Sequence, residues 1–303
     1  MGERLASLDD IAPDLPARRI ATRWRWSRRP RLLVPSWLRP GIALPLAVMA
    51  AMLACAIVPD WIAPFDPTDM GDAILSPPDA VHWFGTDHFG RDVLSLMIYG
   101  ARQSLLMGAC AVFVGGLVGG LIGLAAGYAG RRADTVLMRL LDIWMSVPDI
   151  LLAIIIAAAL GASLTNTILA VGLVTVPRYA RVMRAQVLTV RSRNFIEAAR
   201  ASGCSEASIV LRHVLPHTLS PMLVMATLGV GSSILIGAAL SFIGLGVIDD
   251  RPDWGFLLSQ GRNYLTVAWW FASLPGLAIT ALVISVNMLG DALRDRFDPR
   301  MRT

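Results

Sequence analysis

The sequence predicts an all-α polytopic membrane protein with about six transmembrane helices, on three observations. Mean hydropathy is +0.59, with 55% of residues hydrophobic and 16% charged. The apolar residues gather in runs of roughly twenty, the length a helix needs to cross a hydrocarbon core. All 27 basic residues are Arg, the net charge is +5, and the arginines stand at the flanks of the apolar runs. Dispersed in this way they read as topology signals, not as a nucleic-acid footprint. The absence of Lys also excludes a standard phosphate-binding P-loop, whose Lys must reach the nucleotide phosphates. Three widely spaced cysteines, Cys55, Cys110 and Cys204, imply no disulfide framework and read as small apolar fillers.

The elements follow in order. Residues 1–40 hold nine Arg and several Pro and cannot bury a core, so they read as a basic cytoplasmic tail. The first span covers 41–59 and is read as a retained anchor, although Met52 to Ala56 faintly resembles a processing site. The segment 60–102 carries seven Asp against two Arg, which places it outside the cytoplasm. Within it Gly85, Thr86, Asp87 and Gly90 allow turns, and Val93, Leu94, Leu96, Met97 and Tyr99 form an amphipathic stretch suited to a membrane surface or a partner. His82, Asp87 and His88 do not amount to a convergent metal-ligand set, so no metal is expected.

Residues 103–290 form the core. The second span, from about Ser104 to Tyr128, carries Gly115, Gly119, Gly123 and Gly127 at intervals of four. Such a stripe lets another helix approach closely, whether within the chain or from a second subunit. The third span, from about Leu137 to Leu160, includes Asp142, Pro148 and Asp149. Read as one helix, it puts Asp149 ~18 Å from the inner end, near mid-membrane. A carboxylate there lines a pathway or pairs with a neighbouring helix. The fourth span, about Thr165 to Val187, ends in Arg178, Arg181 and Arg184, whose spacing favours snorkelling to the inner surface over contact with a partner. The fifth runs from about Thr218 to Leu245 and the sixth from about Val267 to Leu289, with Trp269 and Trp270 in an aromatic belt. The mixed-charge tail 291–303 returns to the cytoplasm.

Between the fourth and fifth spans, 188–217 contains a polar insert, Asn194 to Pro216. Asn194 is placed to cap a short helix through Glu197, Ala198 and Ala199, and Gly203 to end it in the left-handed region. Ser205 caps a second helix, Glu206 to Val214, which Pro216 is expected to close. His213 and His217 would share a face only if Pro216 did not intervene.

This insert resembles the EAA loop of permease subunits of ATP-binding-cassette importers. Glu197-Ala198-Ala199, Gly203 and the closing Leu215-Pro216 stand at the family's intervals, with His213 in its aliphatic slot and Val214 beside it. HWFGTDHFGRDVLSLMIYGARQSL, SFIGLGVIDDRPDWGFLL and the C-terminal PGLAITALVISVNMLGDALRDRFDPRMR are similar to signatures of the dipeptide, oligopeptide and nickel branch. Ile248 to Arg251 replace a more Pro-rich stretch. The resemblance implies a type I ABC importer permease fold without enzymatic activity or cofactor. It implies a bacterial inner-membrane subunit that pairs with a second homologous permease, two cytosolic ATPase subunits, an extracytoplasmic solute-binding protein and membrane lipid, and not with nucleic acid. Di- and oligopeptides are the implied cargo, with nickel or glutathione as alternatives. A secondary transporter would call for paired intramembrane charges or broken helices in repeated halves. An enzyme would call for a nucleophile and base at one depth.

Overall fold

The computed structural model describes residues 40–246 and 252–297, in which every named element is a helix. The basic N-terminal tail, Ile248 to Arg251 and the last six residues lie outside the described residues. α1 is Pro40–Ile57, followed by the short α2, Pro59–Ile62. α3, Val93–Tyr128, starts at Asp92, whose carboxylate accepts from the Ser95 backbone N–H at 2.8 Å. At 36 residues it reaches well beyond the span expected from Ser104. The stretch expected against a membrane surface or a partner is its first turns, where Val93, Leu96 and Tyr99 are buried within the chain. Trp254, Leu257 and Phe271 form one apolar cluster with Val93 and Leu96, from a part of the chain that periodicity cannot reveal.

α4, Arg131–Trp144, and α5, Asp149–Leu160, meet at 84°. The expected single helix from Leu137 to Leu160 is therefore broken, and the distance of Asp149 from the inner end cannot be counted along a straight axis. The break follows from Pro148, which lacks a backbone donor and disfavours helix at the residue before it. α6, Leu164–Arg191, starts at Ser163, whose side chain accepts from the Asn166 N–H.

α7 is Asn194–Ala201, and its N-cap is Arg193 without a side-chain bond, one residue before the expected Asn194. α8, Glu206–Ile209, is capped by Ser205 and passes through a π turn, Val210–Val214, into α9, Leu215–Phe242. Pro216 thus stands inside one continuous helix from Glu206 to Phe242 and does not close it. The π turn explains why. Leu215 N–H reaches back to Val210 O, and the ladder passes the Pro216 nitrogen, which has no proton to donate. α10, Trp254–Gly261, and α11, Trp269–Phe297, complete the order.

Among the described residues α3, the Glu206–Phe242 run and α11 are each long and apolar enough to cross a membrane, the bent α4–α5 pair makes a fourth such segment only when taken as one span, and the apolar part of α1 is shorter. α6 has the length, but its arginines lower its apolarity. α3 is central, with α6, α9 and α1 packed against it and α11 packed against α9 and α1.

The segment between α2 and α3 is pinned by buried polar contacts. Asp87 is fully buried and accepts from Arg91 Nε at 2.8 Å and from the N–H groups of Phe89 and Arg91. Trp270, expected with Trp269 at the membrane surface, is instead buried, and its Nε1 donates to Thr86 O at 3.2 Å. Trp269 is exposed.

Candidate functional site

The polar insert folds as an elbow. The N–H of Gly203, at φ +80°, bonds Arg200 O, and the N–H of Cys204 bonds Ala199 O. That pair of bonds is a Schellman closure, which requires a left-handed residue at Gly203 and satisfies the last carbonyls of α7. Ile196, Ile209 and Val214 anchor the elbow in a buried cluster with Val187 and Val190 of α6. Val214, next to His213, is fully buried, while His213 is half-buried. Anchoring by these apolar side chains leaves Glu197, Ala198 and Gly203 exposed, with Ala199 half-buried. Glu197 therefore presents a free carboxylate edge beside a flat, small-residue surface. Leu215 is half-buried and Pro216 exposed at the start of α9. His213 and His217 do share a face: His217 Nδ1 lies 2.7 Å from His213 O, and Phe195 contacts both rings.

Four residues that the sequence reading did not single out for this role tie the elbow and the end of α6 to α3. Arg200 Nε donates to Glu206 Oε1 at 2.8 Å, bridging the two elbow helices, and Tyr128 Oη donates to Glu206 Oε2. Arg191 Nη1 donates to the carbonyls of Gly127 and Tyr128 at 3.3 and 3.2 Å, closing the end of α3. The partnership with Glu206 raises the Arg200 pKa above its already high ordinary value, so the bridge carries full charge at any physiological pH.

The arginine stripe of α6 does not reach for the surface. Arg178 pairs with Asp149, Arg181 Nη2 with Asp142 Oδ1 at 2.7 Å, and Arg184 Nη2 with Asp134 Oδ2 at 2.6 Å. The order is antiparallel, and the spacing explains the bend. Asp134 to Asp149 would span ~22 Å of straight helix, whereas Arg178 to Arg184 span ~9 Å, so the longer side must fold to stay in register. The signal was present in the sequence as acids at steps of eight and seven facing arginines at steps of three, but it needed the antiparallel packing to be legible.

The glycine stripe faces α6. A Cβ on Gly119 would lie 2.5 Å from Val176 O, and one on Gly123 2.3 Å from Ala180 O; at Gly115 and Gly127 it would meet Thr175 and Val187. On another side, an apolar groove of about 580 Å³ lies among α3, α6 and α9, lined by Phe113, Leu117, Leu121, Met183, Leu219 and Met222.

The other titratable residues singled out go to separate partners. His82 Nδ1 lies 3.1 Å from Asp92 Oδ1, while Asp87 holds Arg91. His88 stacks among Phe89, Tyr264 and Phe271, its Nδ1 buried without a partner, and burial pushes its pKa below the ordinary value.

Residues 119–303 match the family model described as "binding-protein-dependent transport system inner membrane component". The chain is 40% identical over 268 residues to a probable D,D-dipeptide transport system permease protein, DdpC, of Escherichia coli strain K12, covering 87% of this chain and 90% of that protein. It is 42% identical over 264 residues to the di/tripeptide transport system permease protein DppC of Pseudomonas aeruginosa, covering 85% and 87% respectively. In fold it is similar to a chain of the MetNI methionine ABC transporter in an inward-facing conformation, with TM-score 0.56 and 20% identity over 68% of this chain and 98% of that one. With a family model over more than half of its length and relatives at this identity, the chain belongs to the inner-membrane permease components of binding-protein-dependent transport systems.

Proposed function

We propose that this permease carries di- and tripeptides, pairing with a second homologous permease and with two cytosolic ATPase subunits that dock on the elbow. A solute-binding protein delivers cargo to the opposite face. The observation that carries the reading is the elbow itself: Glu197 and Ala198 exposed on a short helix whose end is locked by Gly203. The peptide cargo is supported by the named substrates of the relatives. Hydrolysis belongs to the partner subunits, since this chain has no Lys for a phosphate-binding loop. Both termini and the elbow face the cytoplasm and the Asp-rich segment 60–92 faces outward, in keeping with the arginine distribution. Asp149 lines the translocation path, and the stripe Gly115, Gly119, Gly123 and Gly127 is the packing seam that holds its wall together.

The test is copurification of tagged wild type and Glu197→Arg in mild detergent, followed by peptide uptake in proteoliposomes. The expected result is a second permease and two ATPase subunits with the wild type, ATPases lost from the variant, and uptake only in the complete assembly. Wild type isolated without an ATPase would defeat the importer reading.

A further inference from the structure

The three ion pairs on α6 give the chain one polar face. Arg178 lies at the middle of α6, thirteen residues from Arg191 and fourteen from Leu164, or ~20 Å from either end at helical rise. α6 is in register with α3, because Gly119 of α3 packs against Val176 and Tyr179. Arg178 therefore sits at the depth of the apolar body of a helix long enough to cross the membrane. Its side chain cannot snorkel ~15 Å to an interface. Yet it is 50% exposed, and its partner Asp149 is 30% exposed. A half-open ion pair at that depth is too costly against lipid, so this face borders water or a polar surface. The groove lined by Phe113, Leu117 and Leu121 lies on a different face and is almost wholly apolar. The two sides of the molecule are therefore chemically opposite.

We infer that the Arg178–Asp149 rung is a solute site of the aqueous path, opening so that Asp149 receives the ammonium and Arg178 the carboxylate of a zwitterionic solute. This rests on the peptide-permease reading above. The physical basis is exchange of like for like. The ion pair loses little when each member swaps its partner for the matching end of a zwitterion, whereas a neutral or singly charged solute leaves one charge at mid-depth unmatched. The rung at Arg184–Asp134 is less exposed, at 32% and 20%, and holds the wall in place.

The test uses the complete transporter in proteoliposomes with Cys55, Cys110 and Cys204 replaced by Ser. Ser146→Cys, at an exposed position three residues before Asp149, is treated with a membrane-impermeant anionic methanethiosulfonate, with and without saturating Ala-Ala and the binding protein, and Leu121→Cys serves as the lipid-side control. The expected outcome is modification of Ser146→Cys, slowed at least fivefold during Ala-Ala transport, and no modification of Leu121→Cys. Asp149→Asn and Arg178→Gln should each lower Ala-Ala turnover at least tenfold while ATPase subunits still copurify. A Ser146→Cys thiol that stays unmodified in every nucleotide state, or is modified at the same rate with and without Ala-Ala, overturns the proposal, as does full turnover in both neutral variants. Failure of the peptide-permease reading looks different: the parent transporter itself would then take up no Ala-Ala.

Discussion

His88 illustrates how one buried ring nitrogen sets a pH response. Its Nδ1 has no partner, and three aromatic rings surround it, so charging it in the folded state is penalised by desolvation. Its folded pKa lies below the unfolded value, so the unfolded chain binds the extra proton first. The stabilisation by the neutral ring is complete above the ordinary pKa of 6.5 and is lost as pH falls below it. The melting temperature of the purified protein should therefore fall between pH 7.5 and 5.5. His88→Phe, which keeps the aromatic packing without a titrating nitrogen, should flatten that dependence. An equal slope in both proteins would place the pH response elsewhere. Asp87 and Arg91 beside it make the opposite point, since their charges are buried together and satisfied by three backbone and side-chain donors.

Among elements, the α3–α6 seam is the tightest constraint. At Gly123 an added Cβ meets a backbone carbonyl at 2.3 Å, and backbone cannot turn aside as a flexible side chain can. Gly123→Leu should destabilise by about 1–3 kcal/mol through overpacking, and by more if α6 is displaced bodily. At Gly116 the nearest atoms to an added Cβ are 3.9 Å away, so Gly116→Ala should be tolerated. Thermal stability of the two variants in detergent checks the contrast, and equal loss at both sites would mean that the seam is not what the glycine interval serves. The bent α4–α5 pair is constrained differently, by charge: its acids must meet arginines that lie closer together on α6 than a straight helix allows.

On the scale of the whole molecule, the elbow acts on the membrane helices only if it moves with them. Glu206 joins Arg200 of α7 and Tyr128 of α3 while itself beginning the long helix that becomes α9, so three elements converge on one carboxylate. If the ATPases dock on Glu197 as proposed, Glu206→Gln with Tyr128→Phe should leave them bound but raise the ATP hydrolysed per peptide transported several-fold. The double variant should be no worse than the worse single one, because both remove one link. An unchanged ATP-to-peptide ratio would show that force passes through the apolar anchors Ile196, Ile209 and Val214 alone.

What the sequence determined by itself is local: the helical class from runs of about twenty apolar residues, the elbow with its left-handed Gly203, and the glycine interval on α3. These depend on period, composition and backbone preference, which neighbours a few residues apart decide. The partners were decided only by tertiary structure. The arginine stripe looked free to snorkel until α4 and α5 brought acids to it, Pro216 looked like a terminator until a π turn bypassed it, and Trp270 looked like a surface anchor until Thr86 took its N–H. In each case the energy of a charged or polar group depends on what the fold places beside it, and those groups come from dozens to nearly two hundred residues away or from a backbone register that no side-chain pattern records.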